Sequence, residues 1–552
     1  MWIKTLHLSI ALTMLLAIPP VRAQETAPEP EVDAVPTAAA PAEQAQQAQQ
    51  AQQATPDATT IQDPPAPLEL TMGRAIEMAL ENNLDVVIAR LGYQAQGEFV
   101  GQAKGAYNPL FVANFNNLSS RTPGTSQLSG AQTLSNISAA YNISWQQELP
   151  TGGSYFIAFD NRRFDTNNTF TSVNPRYDSA ASASITQPLL ANRQLNSLKQ
   201  RVVVAQNGER VAHYDFEAQV MDLVTDVQLS YWDWVYSIRD LNVQQQYLEL
   251  AANLLRNNRI QVQVGTMAPL DVLEAEAEVA AREADVILAE EAVERNADRI
   301  RRLINDPETP NFWSVEIQPA DAPQLQEIEI DLDESVRTAL ARRPTLSGLR
   351  VGLDTRNFEV RYTRNQMQPR VDVVGSYTVN GLGGDRIFRE GFGGEITSEV
   401  PGGINDALSQ LFDNEFRDWS LGLNFSYPLG NSSADAAHAQ AQVEYRRQRA
   451  VVENQELSIA QEVRVTARLV ETNRKRIDAT HAARVLQQRR LEAEQRKFEV
   501  GMSTSFLVVQ AQRDLANAAG NELQAVTDYN KSIVAYRRVT GTILDERHID
   551  VR

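Results

Sequence analysis

The residues that most often carry out catalysis or bind metals are sparse in this sequence. There is no cysteine, which excludes a Cys nucleophile, a thiolate metal site and a disulfide framework. The histidines are scattered, and none belongs to a His-Glu-x-x-His zinc motif; they are His7, His213, His438, His481 and His548. Neither a phosphate-binding P-loop nor a Gly-x-Ser-x-Gly nucleophile elbow occurs. We therefore expect a protein that is not an enzyme and that binds no cofactor or metal.

Two glycine-rich segments and several acidic clusters remain as candidate ligand sites. The segments Gly381–Gly384 and Gly391–Gly394 precede no helix suited to binding phosphate, so we predict that both are loops. We expect the acidic cluster Glu274, Glu276 and Glu278 to be a solvated helix face rather than a metal site. The formal net charge of −19 disfavours nucleic acid as a partner, because phosphate binding needs a basic face.

The N-terminal end has the features of an export signal. Lys4 precedes an apolar run at 8–18, and residues 21–23 offer a small-residue cleavage site, so we predict that residues 1–23 are a removed signal peptide. Residues 24–67 contain many prolines and acids, an Ala-Gln-Gln repeat and no Lys or Arg, which predicts a disordered leader. No later apolar run is long enough for a helical membrane span. A membrane-bound mature protein would therefore need a closed barrel or surface attachment.

The remaining sequence repeats one pattern twice. The segment Leu70–Leu80 resembles Ile330–Leu340, with Thr71 and Asp331 as plausible helix N-caps. Three more landmarks follow in the same order in both halves: Pro109 and Pro369, Pro188-Leu189 and Pro428-Leu429, Val264-Gly265 and Val500-Gly501. We predict a first repeat at 68–310 (helix, strands, long helix, turn, helix), a linker at 311–329, a second repeat at 330–545 and a C-terminal tail at 546–552.

Each half contains a stretch that predicts a very long helix. Residues 191–264 contain no proline and a single glycine, and residues 431–500 contain neither. At about 1.5 Å per residue, each stretch makes a rod of about 110 Å, which needs neighbours to cover its apolar face. After the first turn, apolar residues recur at every seventh position, as in a coiled-coil seam: Val272, Val279, Val286, Val293 and Ile300.

The segments between the helices alternate between apolar and small polar residues. The first half can hold four strands, at 109–119, 136–148, 153–164 and 178–188; the second half can hold two strands around a glycine-rich loop at 381–416. Strands of about ten residues with one apolar side fit a transmembrane barrel with lipid outside and water inside, although a half-buried soluble sheet gives the same pattern. The extra first-half hairpin, with its turn at Leu149–Gly153, could extend outside the membrane or widen the barrel. One chain has too few strands to close a water-filled barrel, so an oligomer must close it.

Between residues 68 and 545 the chain resembles the TolC-type outer-membrane efflux family, the outer membrane factors. The resemblance rests on the Leu-Thr/Asp-x-x-x-Ala/Ser openings, the Pro-Leu pairs after the strands, and the Val-Gly turns before Leu270–Ala275 and Phe506–Ala511. It implies a homotrimer, a twelve-stranded barrel with four strands per chain, and a helical barrel that reaches into the periplasm. It also implies a periplasmic adaptor (membrane fusion) protein, an inner-membrane pump and outer-membrane lipid as partners.

We therefore predict a fold that is mainly α with β and internally duplicated, in which long coiled-coil helices form a periplasmic α-barrel and strands contribute to a trimeric transmembrane β-barrel. The predicted function is the outer-membrane exit duct of a tripartite efflux or type I secretion system in a Gram-negative bacterium. The alternative is a periplasmic coiled-coil scaffold or adaptor without a pore, which would have no use for lipid-facing strands. A passive porin would have no use for long helical rods. The cargo stays open between drugs, metal ions and polypeptides.

The two Val-Gly turns are the candidate tips of the helical hairpins. Gly265 and Gly501 end the long helices, where a positive φ costs a glycine little. The resemblance places adaptor contact at these turns, although the residues could also serve only as turns; they are Val264, Gly265, Thr266, Val500, Gly501, Ser503 and Thr504.

The resemblance also implies that residues near the tips line a narrow entrance. The family's paired aspartates and arginine fall here on Leu507, Gln510 and Ser503, and its aromatic residue falls on Phe498, so an acidic ring from the second tip is not expected. Asp271 and Glu274 hold the corresponding places in the first tip. They could line the entrance, or they could cap and solvate the positive end of their helix. The entrance-lining candidates are therefore Asp271, Glu274, Phe498, Leu507 and Gln510.

Overall fold

The structure is a computed structural model that describes residues 68–125, 130–307, 309, 311–323, 325–545 and 549. These residues all fall within one structural unit, Ala66–Arg552. The predicted signal peptide at 1–23 and leader at 24–67 lie outside the described residues, as does nearly all of the predicted tail at 546–552.

The described part contains one series of elements twice, with four long strands in the first series and, in the second, two long strands with a short strand and a short helix between them. The first series is β1 (Leu68–Leu70), α1 (Met72–Asn82), α2 (Leu84–Gly105), β2 (Leu110–Pro123), β3 (Thr133–Glu148), β4 (Ser154–Thr166), β5 (Val173–Pro188), α3 (Ser197–Gln263) and α4 (Pro269–Ile304). The second is β6 (Ile317–Pro319), α5 (Leu332–Arg342), α6 (Pro344–Gln366), β7 (Arg370–Arg389), β8 (Ile396–Val400), α7 (Ile404–Phe412), β9 (Phe416–Ser426), α8 (Ser432–Glu499) and α9 (Ser505–Thr540).

The helix lengths confirm the internal duplication. Helices α1 and α5 both have 11 residues, and α4 and α9 both have 36. The long helices α3 and α8 have 67 and 68 residues, so each rod is about 100 Å long. Equivalent side chains begin α1 and α5, because Thr71 accepts a hydrogen bond from the backbone N–H of Arg74 and Asp331 accepts one from that of Glu334.

The main hydrophobic core lies where both halves of the chain meet the middle of α3. Tyr231 and Trp234 are fully buried there. The Tyr231 hydroxyl lies 3.0 Å from the carbonyl oxygen of Leu70 on β1, and it accepts a hydrogen bond from the backbone N–H of Asp321. Strand β1 pairs in parallel with β6, so the segment predicted as a linker ties the two halves together.

The strands form one antiparallel sheet in the order β2-β3-β4-β5-β7-β8, and β9 pairs with the same edge of β7 as β8 does. The four strands predicted for the first half are confirmed, with bounds extended by a few residues. The family resemblance implies four barrel strands per chain, whereas the sheet of this chain has six long strands, in which β4 and β5 pair along nearly their full lengths with their neighbours. Six long strands therefore stand side by side.

The prediction that Gly381–Gly384 is a loop is wrong, because this segment continues β7, while Gly391–Gly394 lies in the turn after it, as predicted. The predicted loop at 381–416 also contains β8 and α7. Glycine is required because α7 packs directly on the strand: a Cβ at Gly381 would overlap the carbonyl oxygen of Ala407. The side-chain amide of Gln410 on α7 then binds both the N–H and the C=O of Leu382, at 2.8 and 3.1 Å, where a neighbouring strand would otherwise pair.

Within the described ranges, no helix is both long enough and apolar enough to cross a bilayer.

Candidate functional site: the hairpin tips and the two faces of the sheet

The two turns at the ends of the long helices have the same backbone geometry. Gly265 has a φ of 79° and Gly501 a φ of 76°. In each turn the glycine N–H binds the carbonyl three residues back, and the next N–H binds the carbonyl five residues back, at 2.8 to 3.0 Å. This is the Schellman arrangement that ends a helix with a left-handed residue. No atom lies within 4 Å of a Cβ added at either glycine, so backbone conformation alone favours glycine here.

The predicted adaptor-contact residues lie together at these turns, and most are exposed. Val264 is 68% exposed and Val500 is 70% exposed, and Met502, which the sequence reasoning did not single out, is 78% exposed. Ser503 differs, because it is half-buried and donates its hydroxyl hydrogen bond to Glu494 on α8. This hydrogen bond, together with Lys497, holds the pKa of the Glu494 carboxyl below its usual value. Thr504 caps α9 through the backbone N–H of Leu507.

The entrance-lining candidates do not share one environment. Glu274, Leu507 and Gln510 are exposed, and Asp271 is half-buried in the first turn of α4. Phe498 instead packs against an apolar cluster that joins α3, α8 and α9, formed by Leu254, Leu491, Val508, Val509 and Ala511. Its ring therefore helps to hold the two hairpins together.

A buried polar contact between the two hairpins was not found by sequence reasoning. Asn258 on α3 is fully buried, and its side-chain N–H donates to the hydroxyl of Ser505 at 2.7 Å and to the carbonyl of Asp271 at 3.2 Å. Ser505 is the first residue of α9 and is also buried. Because Asn258 and Ser505 are 247 residues apart, no local pattern connects them.

A second contact between the hairpins overturns the expectation for the acidic cluster. Glu278 on α4 is only 3% exposed, so the prediction of a fully solvated face is wrong for this residue. Arg513 on α9 donates to its carboxylate through two nitrogens, and Arg282 lies 3.2 Å from the same carboxylate. The hydrogen bond with Glu278 raises the pKa of Arg513. Glu274 and Glu276 remain exposed as predicted, and burial of Glu278 follows from the packing of α9 beside α4.

The sheet carries different side chains on its two faces. The strand registers align one row across all six long strands: Phe111, Trp145, Ile157, Ala183, Tyr377 and Trp419. The next row on the opposite face is polar or small at five of its six positions: Val112, Ser144, Ala158, Ser182, Thr378 and Asp418. We call these the apolar face and the polar face. On the polar face, residues including Asp160, Arg162 and Asp178 line a shallow cavity of about 590 Å³.

Across the part of the chain that the structure describes, no group of three or more His, Cys, Asp or Glu residues is placed to hold a metal ion.

Comparison with known proteins gives one family and a consistent set of folds. The family described as "Outer membrane efflux protein" matches residues 75–306 and 336–542. The chain is 22% identical over 350 residues to the outer membrane protein TolC of Vibrio cholerae, which covers 63% of this chain and 74% of that protein.

Solved structures of three outer-membrane channels are similar in fold. The OprN channel matches with a TM-score of 0.61 at 17% identity, covering 85% of this chain and 90% of that chain. The CmeC channel of Campylobacter jejuni matches with a TM-score of 0.60 at 16% identity, covering 85% of each. The open state of the MtrE channel of Neisseria gonorrhoeae matches with a TM-score of 0.58 at 18% identity, covering 86% of this chain and 89% of that chain.

Proposed function

Because this chain belongs to the outer membrane efflux protein family, we propose that it works as a homotrimer that a periplasmic adaptor (membrane fusion) protein contacts at the hairpin tips and that an inner-membrane pump supplies with cargo. The protein is an outer-membrane exit duct with a periplasmic helical extension, and the alternative of a scaffold without a pore is not favoured. We assign it no chemistry of its own, so the energy for export must come from the pump.

The main support for the proposed trimer is that the sheet of one chain has, at each edge, a strand whose outer side is unpaired. The outer edges of β2 and β9 pair with no other strand among the described residues. In a bilayer each unpaired backbone group costs several kcal/mol, so a single open sheet is not a stable membrane structure. Further copies of the chain can pair with these edges and close a barrel.

The helices give independent support for an oligomer. Large apolar residues of α4 remain exposed in one chain, including Leu273 at 61%, Ile287 at 64% and Leu288 at 68%. These residues follow the buried coiled-coil seam along the same helix, where Val286 and Ile300 are buried. A neighbouring copy that packs against this stripe would remove it from water, which is the main favourable contribution to most protein association.

The mass of the oligomer tests this proposal directly. The full-length protein should be purified in detergent from the outer-membrane fraction. Its molar mass should then be measured by light scattering, with the detergent contribution subtracted. We expect a protein mass close to three times that of one mature chain, for which 61.4 kDa is the full unprocessed mass. A monomer or dimer would refute the trimer.

We further propose that the tips gate the channel. The turns present exposed apolar residues, such as Val264, Val500 and Met502, that an adaptor can cover. The contacts Asn258–Ser505 and Glu278–Arg513 hold the second hairpin against the first, so the hairpins must separate there before the entrance can widen. Adaptor binding would then favour the separated arrangement.

A cysteine variant at the tip tests gating, because the natural sequence has no cysteine to interfere. We expect Met502→Cys to lose export when its copies are crosslinked across the entrance and to regain it on reduction. Val443→Cys, an exposed position 52% accessible near the other end of α8, is the control and should export normally under both conditions. Undiminished export by fully crosslinked Met502→Cys would contradict gating at the tips.

A further inference from the structure

The six long strands stand at one level in a single layer. The registers connect one residue of each strand in an unbroken row: Asn114, Asn142, Asp160, Ala180, Asn380 and Phe416. The turn between β3 and β4 is tight, because the backbone N–H of Leu149 binds the carbonyl of Gly153 at 2.7 Å. The same turn is held against the loop before α3, where the N–H of Gln194 binds the carbonyl of Thr151 at 3.2 Å. The additional hairpin therefore cannot stand above the other strands.

Strands β4 and β5 both carry the two faces that a membrane strand needs. On the apolar face, Ile157 and Phe159 of β4 lie beside Trp145 and Ile143 of β3, and Ala181 and Ala183 of β5 lie beside Val379 and Tyr377 of β7. Their polar face carries charged side chains, of which Asp160 and Arg162 are examples. An apolar band that continues across every strand, opposite a polar face, is the pattern of a water-filled barrel in lipid.

We propose that all six long strands belong to the transmembrane barrel, so that three copies close a barrel of three times six, or eighteen, strands in which β9 of one copy pairs with β2 of the next. This inference rests on the proposed trimer and deepens it. The occupant of each open edge is therefore a second copy of this chain. Strand β2 leaves the helical region and β9 returns to it, so the two edges meet in antiparallel orientation, as all neighbouring strands of this sheet do.

The stagger of the strands fits such a closure. Along the row, Asn114 near the start of β2 is level with Phe416, the first residue of β9. For β9 to pair along its whole length with β2 of the next copy, Phe416 must lie opposite a residue of β2 about six or eight positions beyond Asn114. The shift must be an even number, because only an even shift keeps the apolar faces of the two strands on the same side of the sheet. With about 3.4 Å per residue and about 4.7 Å between strands, three such shifts in eighteen strands give a tilt of about 36° or about 44°. Both values lie in the range of natural barrels, about 35–45°.

The consequence for function is a wide exit. Barrel diameter grows roughly in proportion to strand number, so eighteen strands give a bore about 1.5 times as wide as twelve. Barrels of 16–18 strands hold an open aqueous channel in porins. The size of the cargo would then be limited at the helical tips and not at the outer membrane, and bulky polar or polypeptide cargo could pass the barrel.

Disulfide mapping between β9 and its neighbour tests the strand count in the full-length protein. All of the chosen positions are on the polar face. We expect Asn116→Cys combined with Ser420→Cys, or with Gly422→Cys for the eight-residue shift, to form covalent dimers and trimers under mild oxidation in the outer membrane. The matched control is Asp160→Cys with Ser420→Cys. That pair can join two chains only if β2 and β3 lie outside the barrel and β9 meets β4 of the next copy.

The outcomes separate this inference from the trimer itself. Crosslinking through Asn116 together with no crosslinking through Asp160 would identify β2 as the edge strand. Because β3 and β4 are paired in register between β2 and β5, that result supports eighteen strands. Crosslinking through Asp160, or no crosslinking through either Asn116 pair in a protein whose mass is trimeric, would overturn the inference while leaving the trimer in place. A protein that is monomeric in detergent would instead refute the proposed trimer.

Discussion

Replacing Arg513 by methionine should loosen the contact between the two helical hairpins. Arg513 reaches from α9 to the buried carboxylate of Glu278 on α4, with its Nε at 2.8 Å. Methionine keeps much of the length and apolar contact of the arginine side chain but removes its charge and its donors. The Glu278 carboxylate, only 3% exposed, would then keep Arg282 as its remaining ionic partner, at 3.2 Å.

The magnitude follows from how far each partner is buried. Removing one partner of a fully buried ion pair typically costs about 3–5 kcal/mol, because the other charge is left uncompensated. The side chain of Arg513 is 53% exposed, and Arg282 still neutralises Glu278, so solvent and the second arginine reduce the loss. We expect about 1–2 kcal/mol, which would shift an equilibrium between joined and separated hairpins toward separation by about 5–30-fold.

Single-channel recording in planar bilayers measures this shift as the fraction of time spent in the high-conductance state. We expect Arg513→Met to spend more time open than the unmodified protein. Arg295→Met is the matched control, because Arg295 pairs with Glu291 at 2.7 Å on the same helix α4, both side chains are mostly exposed, and the pair does not reach the other hairpin. This control should conduct like the unmodified protein.

A double-mutant cycle decides whether the ion pair is responsible. In a Glu278→Gln background, Arg513→Met should have little further effect, because the charge that the arginine neutralises is gone. If Arg513→Met leaves the open fraction unchanged, or if its effect is the same with and without Glu278, the reasoning about this contact is refuted.

Three further changes have expected outcomes. Gly501→Ala, at a φ of 76°, should lower the free energy of unfolding by about 1–2 kcal/mol, whereas Gly520→Ala within α9 should raise it by about 0.5–1 kcal/mol; thermal unfolding in detergent measures both. Burial raises the pKa of Tyr231 to about 12 from 10.0, so the contribution of the neutral hydroxyl to the free energy of unfolding should be complete below pH 10 and should decline between pH 10 and 12. The variant Tyr231→Phe should not show this decline in the same assay. Gly383→Ala should displace α7 from β7 and expose the segment after β8 to proteolysis, while Gly422→Ala, which has no atom within 4 Å, should not.

Much of the fold could be predicted because its signals are local. Long stretches free of proline and glycine predicted the rods that became α3 and α8, and apolar alternation located the four strands of the first half. The Val-Gly dipeptides located both tips, since a left-handed residue that ends a helix is a property of a few neighbouring residues. The adaptor contacts proposed there remain predictions.

The errors arose where a distant part of the chain determines the environment. The sequence of Gly381–Gly384 predicts a loop, but in the structure this segment is part of β7. Because these glycines have no Cβ atoms, α7 can pack directly on the strand. Phe498 was expected at the entrance, but the structure places its ring against a cluster built by three helices.

The order and type of the elements, their duplication and the two unlike faces of the strands follow from local sequence patterns, because periodicity and capping act over a few residues. The tertiary structure alone decided that Glu278 is buried, that Asn258 meets Ser505 and that six long strands share one level. The contacts Glu278–Arg513 and Asn258–Ser505 join residues 235 and 247 positions apart. The burial of a polar side chain is set by whichever helix packs over it, and no pattern within one helix specifies that neighbour.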